Sequence, residues 1–282
     1  MYTELNLDLQ AFAKRVYDSI LYQSTFYKFL NMAYIGELRQ TGAPVIEIAK
    51  TNPLNVNVRE TKEIQNRLNP SLVTYGRTMV DLTELNMDYS IRVPLMITGS
   101  DITNAVEDAA DLQDAAIAKQ IDTYGYGKLA ADTNITEFAW DPQTKEEYID
   151  LLNNLGAVLY NRSIDGDYRI GLGAVEYAKY VSALTSVLKF ETLAGREGVD
   201  MGEIAVAYGV SAFKINDNVL SGAKGYFFNP IAVVGDTFFS AFVQHNSPQG
   251  YPGYYVMEGT QSFGAEVVRP EAIIRLVEEV SA

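Results

Sequence analysis

An α+β fold is predicted by a long stretch of extended chain near residues 43 to 93, an Ala-rich acidic helix that begins at about Ser100, and short strands and helices alternating from there to the C-terminus. The extended stretch alternates in Asn55-Val56-Asn57-Val58-Arg59 and again in Thr74-Tyr75-Gly76-Arg77-Thr78-Met79-Val80-Asp81-Leu82. Between these runs, Glu60-Thr61-Lys62-Glu63-Ile64-Gln65-Asn66-Arg67 offers almost nothing apolar. A lone two-stranded arm, polar on both sides, is marginal in water. The segment is therefore expected to find its missing contacts on another molecule.

From the N-terminus, Leu9, Phe12, Val16, Ile20, Leu21, Phe26, Phe29 and Leu30 recur at roughly helical spacing, as an amphipathic arm or an ordinary packed helix would place them. Gly36, Gly42 and Pro44 break that pattern, Pro53 and Pro70 bracket the polar middle of the extended stretch, and Pro94 closes it. Ser100 stands at an N-cap position. The helix behind it carries Ile102, Ala105, Val106, Ala109, Ala116, Ile117, Ile121 and Tyr124 along one side, with Glu107, Asp111 and Asp114 on the other. If it runs to Ala131 it is about 45 Å long, enough for a backbone across a flat subunit. Asp101 near its start and Lys128 near its end complement the helix dipole.

A second helix is expected over residues 144 to about 159, with Tyr148, Leu151, Leu152, Leu155 and Leu159 as its apolar stripe. Asp165-Gly166 marks a turn. Residues 168 to 173 read as a strand, 175 to 188 as a helix, and 204 to 215 as strands around a break at Gly209. A Phe-rich segment runs through Phe242, a loop carries His245, Pro248, Pro252 and Gly253, and two short strands cover residues 254 to 258 and 264 to 270.

The chain has 282 residues, 48% of them apolar, so a substantial core is available. The absence of cysteine removes disulfides, thiolate nucleophiles and Cys-ligated zinc together. The first residues lack the basic and apolar regions of a signal peptide, and no run approaches the roughly 18 apolar residues of a membrane span. A soluble, non-secreted protein with no membrane partner is expected. The net charge of −14 is uneven: residues 1 to 70 carry eight basic and seven acidic side chains, residues 71 to 155 five and fifteen, and the remainder nine and fourteen. Affinity for phosphate needs concentrated Lys and Arg, so a sequence-specific DNA reader is excluded.

Chemistry finds little support. His245, the single histidine, has Gln244, Asn246 and Ser247 beside it but no Ser or Asp partner in a recognisable catalytic motif, so a polar loop histidine is the better reading. The carboxylates Glu107, Asp108, Asp111 and Asp114 fit a solvated or subunit-facing acidic stripe better than a cation cage, which loops supply more readily than a straight helix. Asp165-Gly166-Asp167 lacks the remaining positions of a calcium loop, and neither Gly171-Leu172-Gly173 nor Gly125-Tyr126-Gly127 completes a dinucleotide fingerprint. The nineteen tyrosines and twelve phenylalanines, without interleaved basic residues, suit packing better than base stacking.

The order of elements resembles the major capsid proteins of tailed bacteriophages with the Hong Kong 97-like fold. The likeness rests on the amphipathic N-terminal arm, the extended loop ending at Ile91-Arg92-Val93-Pro94-Leu95, the long helix after Ser100, and the helix leading into Tyr168-Arg169-Ile170-Gly171-Leu172-Gly173. It continues through Gly202-Glu203-Ile204-Ala205-Val206-Ala207-Tyr208-Gly209-Val210 ahead of Asn216 and Asn218, and through the closing run from Ser262 to Ile274. The resemblance implies an N-arm over residues 1–42, an extended β-hairpin loop over 43–98, a peripheral domain with a spine helix over 99–164, an axial domain over 165–255, and C-terminal strands over 256–282 that return to the peripheral domain. Some members of the family form a Lys–Asn isopeptide bond. Lys50 and Lys62 lie in the extended loop, but no partner Asn or assisting acid stands in a matching motif, so no catalytic residue is carried over and no cofactor or metal is implied.

The implied function is a shell protein of the virion, assembled in the host cytoplasm as pentamers and hexamers around double-stranded DNA, with separate scaffolding, portal and decoration proteins as further partners. An encapsulin-type compartment shell is the alternative, and an enzyme or ligand-binding protein using the His245 loop is the third reading. The residues expected at subunit contacts are Glu60, Lys62, Glu63 and Arg67 at the tip of the loop and Glu107, Asp111 and Asp114 on the helix. If those three helix carboxylates repel neighbouring subunits, salt would screen the repulsion over about 10 Å at 0.1 M, and neutralising them would lower the salt needed for assembly.

Overall fold

A computed structural model describes residues 9–31, 45–51, 75–94, 100–184, 203–207, 209–239, 243–246 and 249–278. Helix α1 (Leu9–Gln23) and a 3-10 turn (Phe26–Phe29) precede strands β1 (Val45–Thr51), β2 (Tyr75–Asp81) and β3 (Leu85–Pro94). Helix α2 (Ser100–Ala131), β4 (Thr136–Ala139), α3 (Lys145–Asn161), β5 (Tyr168–Gly173) and α4 (Ala174–Leu184) follow. The remaining strands are β6 (Glu203–Ala207), β7 (Val210–Ile215), β8 (Gly225–Phe228), β9 (Val233–Phe239), β10 (Val243–Asn246), β11 (Tyr254–Val267) and β12 (Ile273–Val277).

These strands form three sheets. β1 and β2 pair antiparallel on their own, from Val45 opposite Asp81 to Thr51 opposite Tyr75. β11 is the long member of a second sheet, pairing antiparallel with β3, β10 and β9 along different parts of its length. The third is mixed, in the order β4-β12-β8-β5-β7-β6, with parallel pairs β4/β12 and β5/β7. Its central strand β8 is buried at every residue.

Helix α2 is 32 residues, about 48 Å, and runs along the β3/β11 sheet. β3 alternates strictly along its length, burying Met87, Tyr89, Ile91 and Val93 and exposing the residues between them. Helix α3 starts where Thr144 and Glu147 form a reciprocal capping box. Arg275 of β12 donates to the carbonyls of Leu129 (2.5 Å) and Ala130 (2.8 Å), giving the last turn of α2 a cationic partner for carbonyls that have none within the helix. The C-terminal strand thus returns to the end of the long helix. The break between β6 and β7 falls at Gly209, whose φ of 78° is readily adopted only without a Cβ.

The core centres on Phe29. Its ring stacks on Phe228 at 3.7 Å and meets Phe213, Tyr226 and Tyr126 edge-on, so the 3-10 turn joins α2 to the mixed sheet. Phe26 lies against Gly125, where an added Cβ would come within 2.4 Å of the ring. Gly125 therefore has a packing reason, while a Cβ on Gly127 would meet nothing within 4 Å.

Several expectations change. Of the two readings of the N-terminal segment, the packed helix holds over the described part: Val16, Ile20, Phe26, Phe29 and Leu30 are each at most 1% exposed, because α1 and the 3-10 turn pack into the body. The extended stretch is polar on both sides only as a sequence average, since β3 belongs to the core sheet. His245 lies in β10 opposite Val256 rather than in a loop. The two short C-terminal strands are one strand of 14 residues, β11, because pairing partners on its flanks carry it past Gly259. The helix expected to reach residue 188 is described to Leu184, and residues 185–188 lie outside the described residues.

Candidate assembly site

The β1–β2 hairpin joins the body where the turn from β2 into β3 crosses β11. Asp81 closes that turn locally, its carboxylate accepting from the Thr83 hydroxyl (2.7 Å) and backbone N–H (2.8 Å). Those hydrogen bonds hold the Asp81 carboxyl below the usual aspartate range. The crossing is close. A Cβ on Gly264 would lie 1.8 Å from the Asp81 carbonyl oxygen and 2.6 Å from the Leu82 Cα, so only glycine lets the two backbones approach. Val80 and Leu82 then pack on Val234 in a small apolar cluster of their own.

Beside this crossing Lys128 ties three elements together. Its Nζ lies 2.5 Å from the Glu84 carboxylate and 3.1 Å from that of Glu266, and it donates to the Ala265 carbonyl at 2.8 Å. The Tyr124 hydroxyl donates to Glu84, and the ammonium sits 5.4 Å from the Tyr124 ring centre. Partial burial opposes ionisation of Glu84, but the hydrogen bonds from Lys128 and Tyr124 outweigh it and keep the carboxyl below the usual range. Burial likewise opposes the charge on Lys128. The contacts to Glu84, Tyr124 and Glu266 prevail and raise its pKa well above the ordinary lysine value. The hairpin root is thus fixed by a steric notch, an apolar patch and a charged knot, while Met79 farther along β2 is 68% exposed.

Helix α1 is fastened along α2. Arg15 pairs with Asp111 at 2.9 Å and Glu107 at 3.5 Å. Past the end of α1, Asp122 accepts from the Ser24 hydroxyl (2.6 Å), the Phe26 backbone N–H (2.9 Å) and both the hydroxyl (2.9 Å) and N–H (3.2 Å) of Thr25. Burial still raises the Asp122 pKa above the ordinary value against those hydrogen bonds.

Of the residues expected at subunit contacts, Glu60, Lys62, Glu63 and Arg67 lie outside the described residues. Glu107 and Asp111 are exposed, as a stripe on α2 requires, and Arg15 of the same subunit already holds them. Asp114 departs from that stripe. It is 1% exposed, because its side of α2 is covered by α1 and β3. Neutralising the three together would therefore not be a purely surface change.

His245 is exposed on an edge strand, and no group of three or more metal-binding side chains exists among the described residues. A cleft of about 450 Å³ between α1, α2 and the start of α4 is lined by Gln23, Thr25, Ala115, Lys119, Asp122 and Lys214 among others, and its Thr25 hydroxyl and Asp122 carboxylate are engaged with each other in the fastening just described. No helix of the described residues is long and apolar enough to cross a membrane. Only part of the hairpin root is legible in the chain: Lys128 reads as a helix-end charge, while its partners Glu84 and Glu266 are far away in sequence. A glycine inside an alternating run was the available signal for Gly264.

Comparison of the sequence with known families and with curated proteins finds no match. The structure does resemble solved ones. A structure from Mycobacterium phage Che8 is 16% identical, over 92% of this chain and 93% of that one, at a TM-score of 0.60. The capsid structure of cyanophage P-SCSP1u is 13% identical, over 85% and 84%, at 0.60. A virus-like particle from Pyrococcus furiosus is 11% identical, over 93% and 98%, at 0.52. The chain has the α+β fold seen in bacteriophage capsid subunits.

Proposed function

We propose that this chain is the major capsid protein of a tailed bacteriophage, assembling with copies of itself as pentamers and hexamers into an icosahedral head shell around double-stranded DNA. The observation that carries the reading is the likeness to a phage capsid structure over 85% of this chain and 84% of the other, at a TM-score of 0.60. The residues fit the role. Strands β1 and β2 leave the body from a rigid root, and in the sequence between them residues 60 to 67 carry charges suited to a neighbour rather than apolar residues for a core of their own. A net charge of −14 lets a shell enclose DNA without gripping it. The role is structural: the polar clusters at the hairpin root and along α1 hold elements together. Scaffolding, portal and decoration proteins would be separate chains, and assembly would take place in the host cytoplasm.

An encapsulin-type compartment is the second reading, favoured by the likeness to the Pyrococcus furiosus particle, at the lower TM-score of 0.52. The proposal is tested by sedimentation of the purified chain across protein and salt concentrations. Pentamers, hexamers or closed shells are expected, and a compact monomer under every condition would refute it. Particle contents separate the two shells, packaged DNA supporting the phage and a protein cargo the compartment. His245→Ala is expected to leave assembly intact. Its loss would instead favour a role for that strand.

A further inference from the structure

Between its fastenings at Arg15 and Asp122, helix α1 covers a carboxylate that no cation neutralises directly. Asp114 is 1% exposed, and both oxygens are sealed from solvent beside the Ser19 hydroxyl of α1 and the Tyr89 phenol of β3, without accepting a hydrogen bond of good geometry. The titratable and charged groups that face it are Arg15 from α1, Asp111 from α2 itself and Tyr89 from β3. Arg15 is engaged with Asp111 and Glu107. The Gln113 side chain, the next residue on α2, donates to the Asp88 carbonyl of β3 at 3.3 Å, so the two walls of this site are joined to each other and α1 is the removable third. An ionised carboxylate in such a place costs free energy that a neutral carboxyl does not.

We propose that Asp114 is a protonation latch for helix α1: the neutral carboxyl lets α1 lie closed on α2 and β3, and the carboxylate loosens that seat. The inference concerns the subunit alone and does not depend on the capsid reading. Burial pushes the Asp114 pKa up to about 6, against the opposing contacts of Ser19, Arg15 and Tyr89. The value in the closed state lies above the ordinary one, so the closed state is favoured fully at low pH and loses that advantage as the pH rises toward and through 6. Between pH 5 and 7 the equilibrium constant for opening α1 should rise about tenfold. Tyr89, pushed far above the usual tyrosine value by burial, stays protonated throughout.

Hydrogen exchange of the full chain, corrected for the intrinsic pH dependence of amide exchange, reads the opening of residues 14 to 23 of α1 against that of β5 to β8. The wild type should open about tenfold more at pH 7 than at pH 5 in that segment alone. Asp114→Asn, a neutral isostere, should abolish the rise and protect the segment at pH 7. Parallel rises in both proteins would overturn the proposal, as would a flat wild-type profile. Should the variant fail to fold by circular dichroism, the wild-type profile decides: a midpoint near pH 6 confined to residues 14 to 23 supports the latch, and a change shared with β5 to β8 refutes it.

Discussion

Gly264→Ala is the sharpest perturbation of the hairpin root, because it adds one methyl group and removes nothing. The new Cβ would lie 1.8 Å from the Asp81 carbonyl oxygen, and ordinary contact begins at 3.4 Å, so the crossing must open by about 1.6 Å. Side-chain motion cannot relieve this, since the three nearest atoms are all backbone. Forcing a methyl into a filled site typically costs about 1 to 3 kcal/mol. Part of that cost should appear as displacement of the hairpin, whose turn also carries Leu82 and Glu84 away from Val234 and Lys128. Urea denaturation followed by circular dichroism measures the stability loss, and light scattering measures assembly. A variant within about 0.5 kcal/mol of wild type that assembles at the wild-type rate would refute the claim that this notch sets the hairpin.

Lys128→Met should cost about 1 kcal/mol, a modest figure because Lys128, Glu84 and Glu266 keep 28%, 37% and 42% of their side-chain surface in solvent. Glu84 is held below the ordinary glutamate value, so its share of stability is present above that value and lost as the pH falls through the lowered one; chemical denaturation across acid pH should show the gap to wild type closing. Arg275→Ala should cost about 2 kcal/mol by stripping charged donors from the Leu129 and Ala130 carbonyls, and hydrogen exchange should rise first in the last turn of α2. Deleting residues 60 to 68 should leave a folded subunit by circular dichroism and block normal shells; global unfolding would put those residues in the core instead.

Elements whose signal is local were legible in the sequence. The period of α3, the turn at Gly166, the strand over residues 168 to 173 and the break at Gly209 each depend on neighbours a few positions away. What required the structure was partner choice over long separations. Nothing in the run from Tyr254 to Val267 says that β3, β9 and β10 all pair with it. Asp114 shows the same limit on a helix: its spacing matches Glu107 and Asp111, but α1 and β3, from elsewhere in the chain, decide that it is covered while they are open. The likeness to a phage capsid structure is likewise carried by the order of elements, which survives where identity has fallen to 13%.

Electron microscopy of the purified protein tests the central claim most directly. Closed icosahedral particles whose averaged density places the β1–β2 hairpin of one subunit on its neighbour are the predicted result. Well-folded single subunits that form neither rings nor shells at any concentration, salt or pH would contradict it.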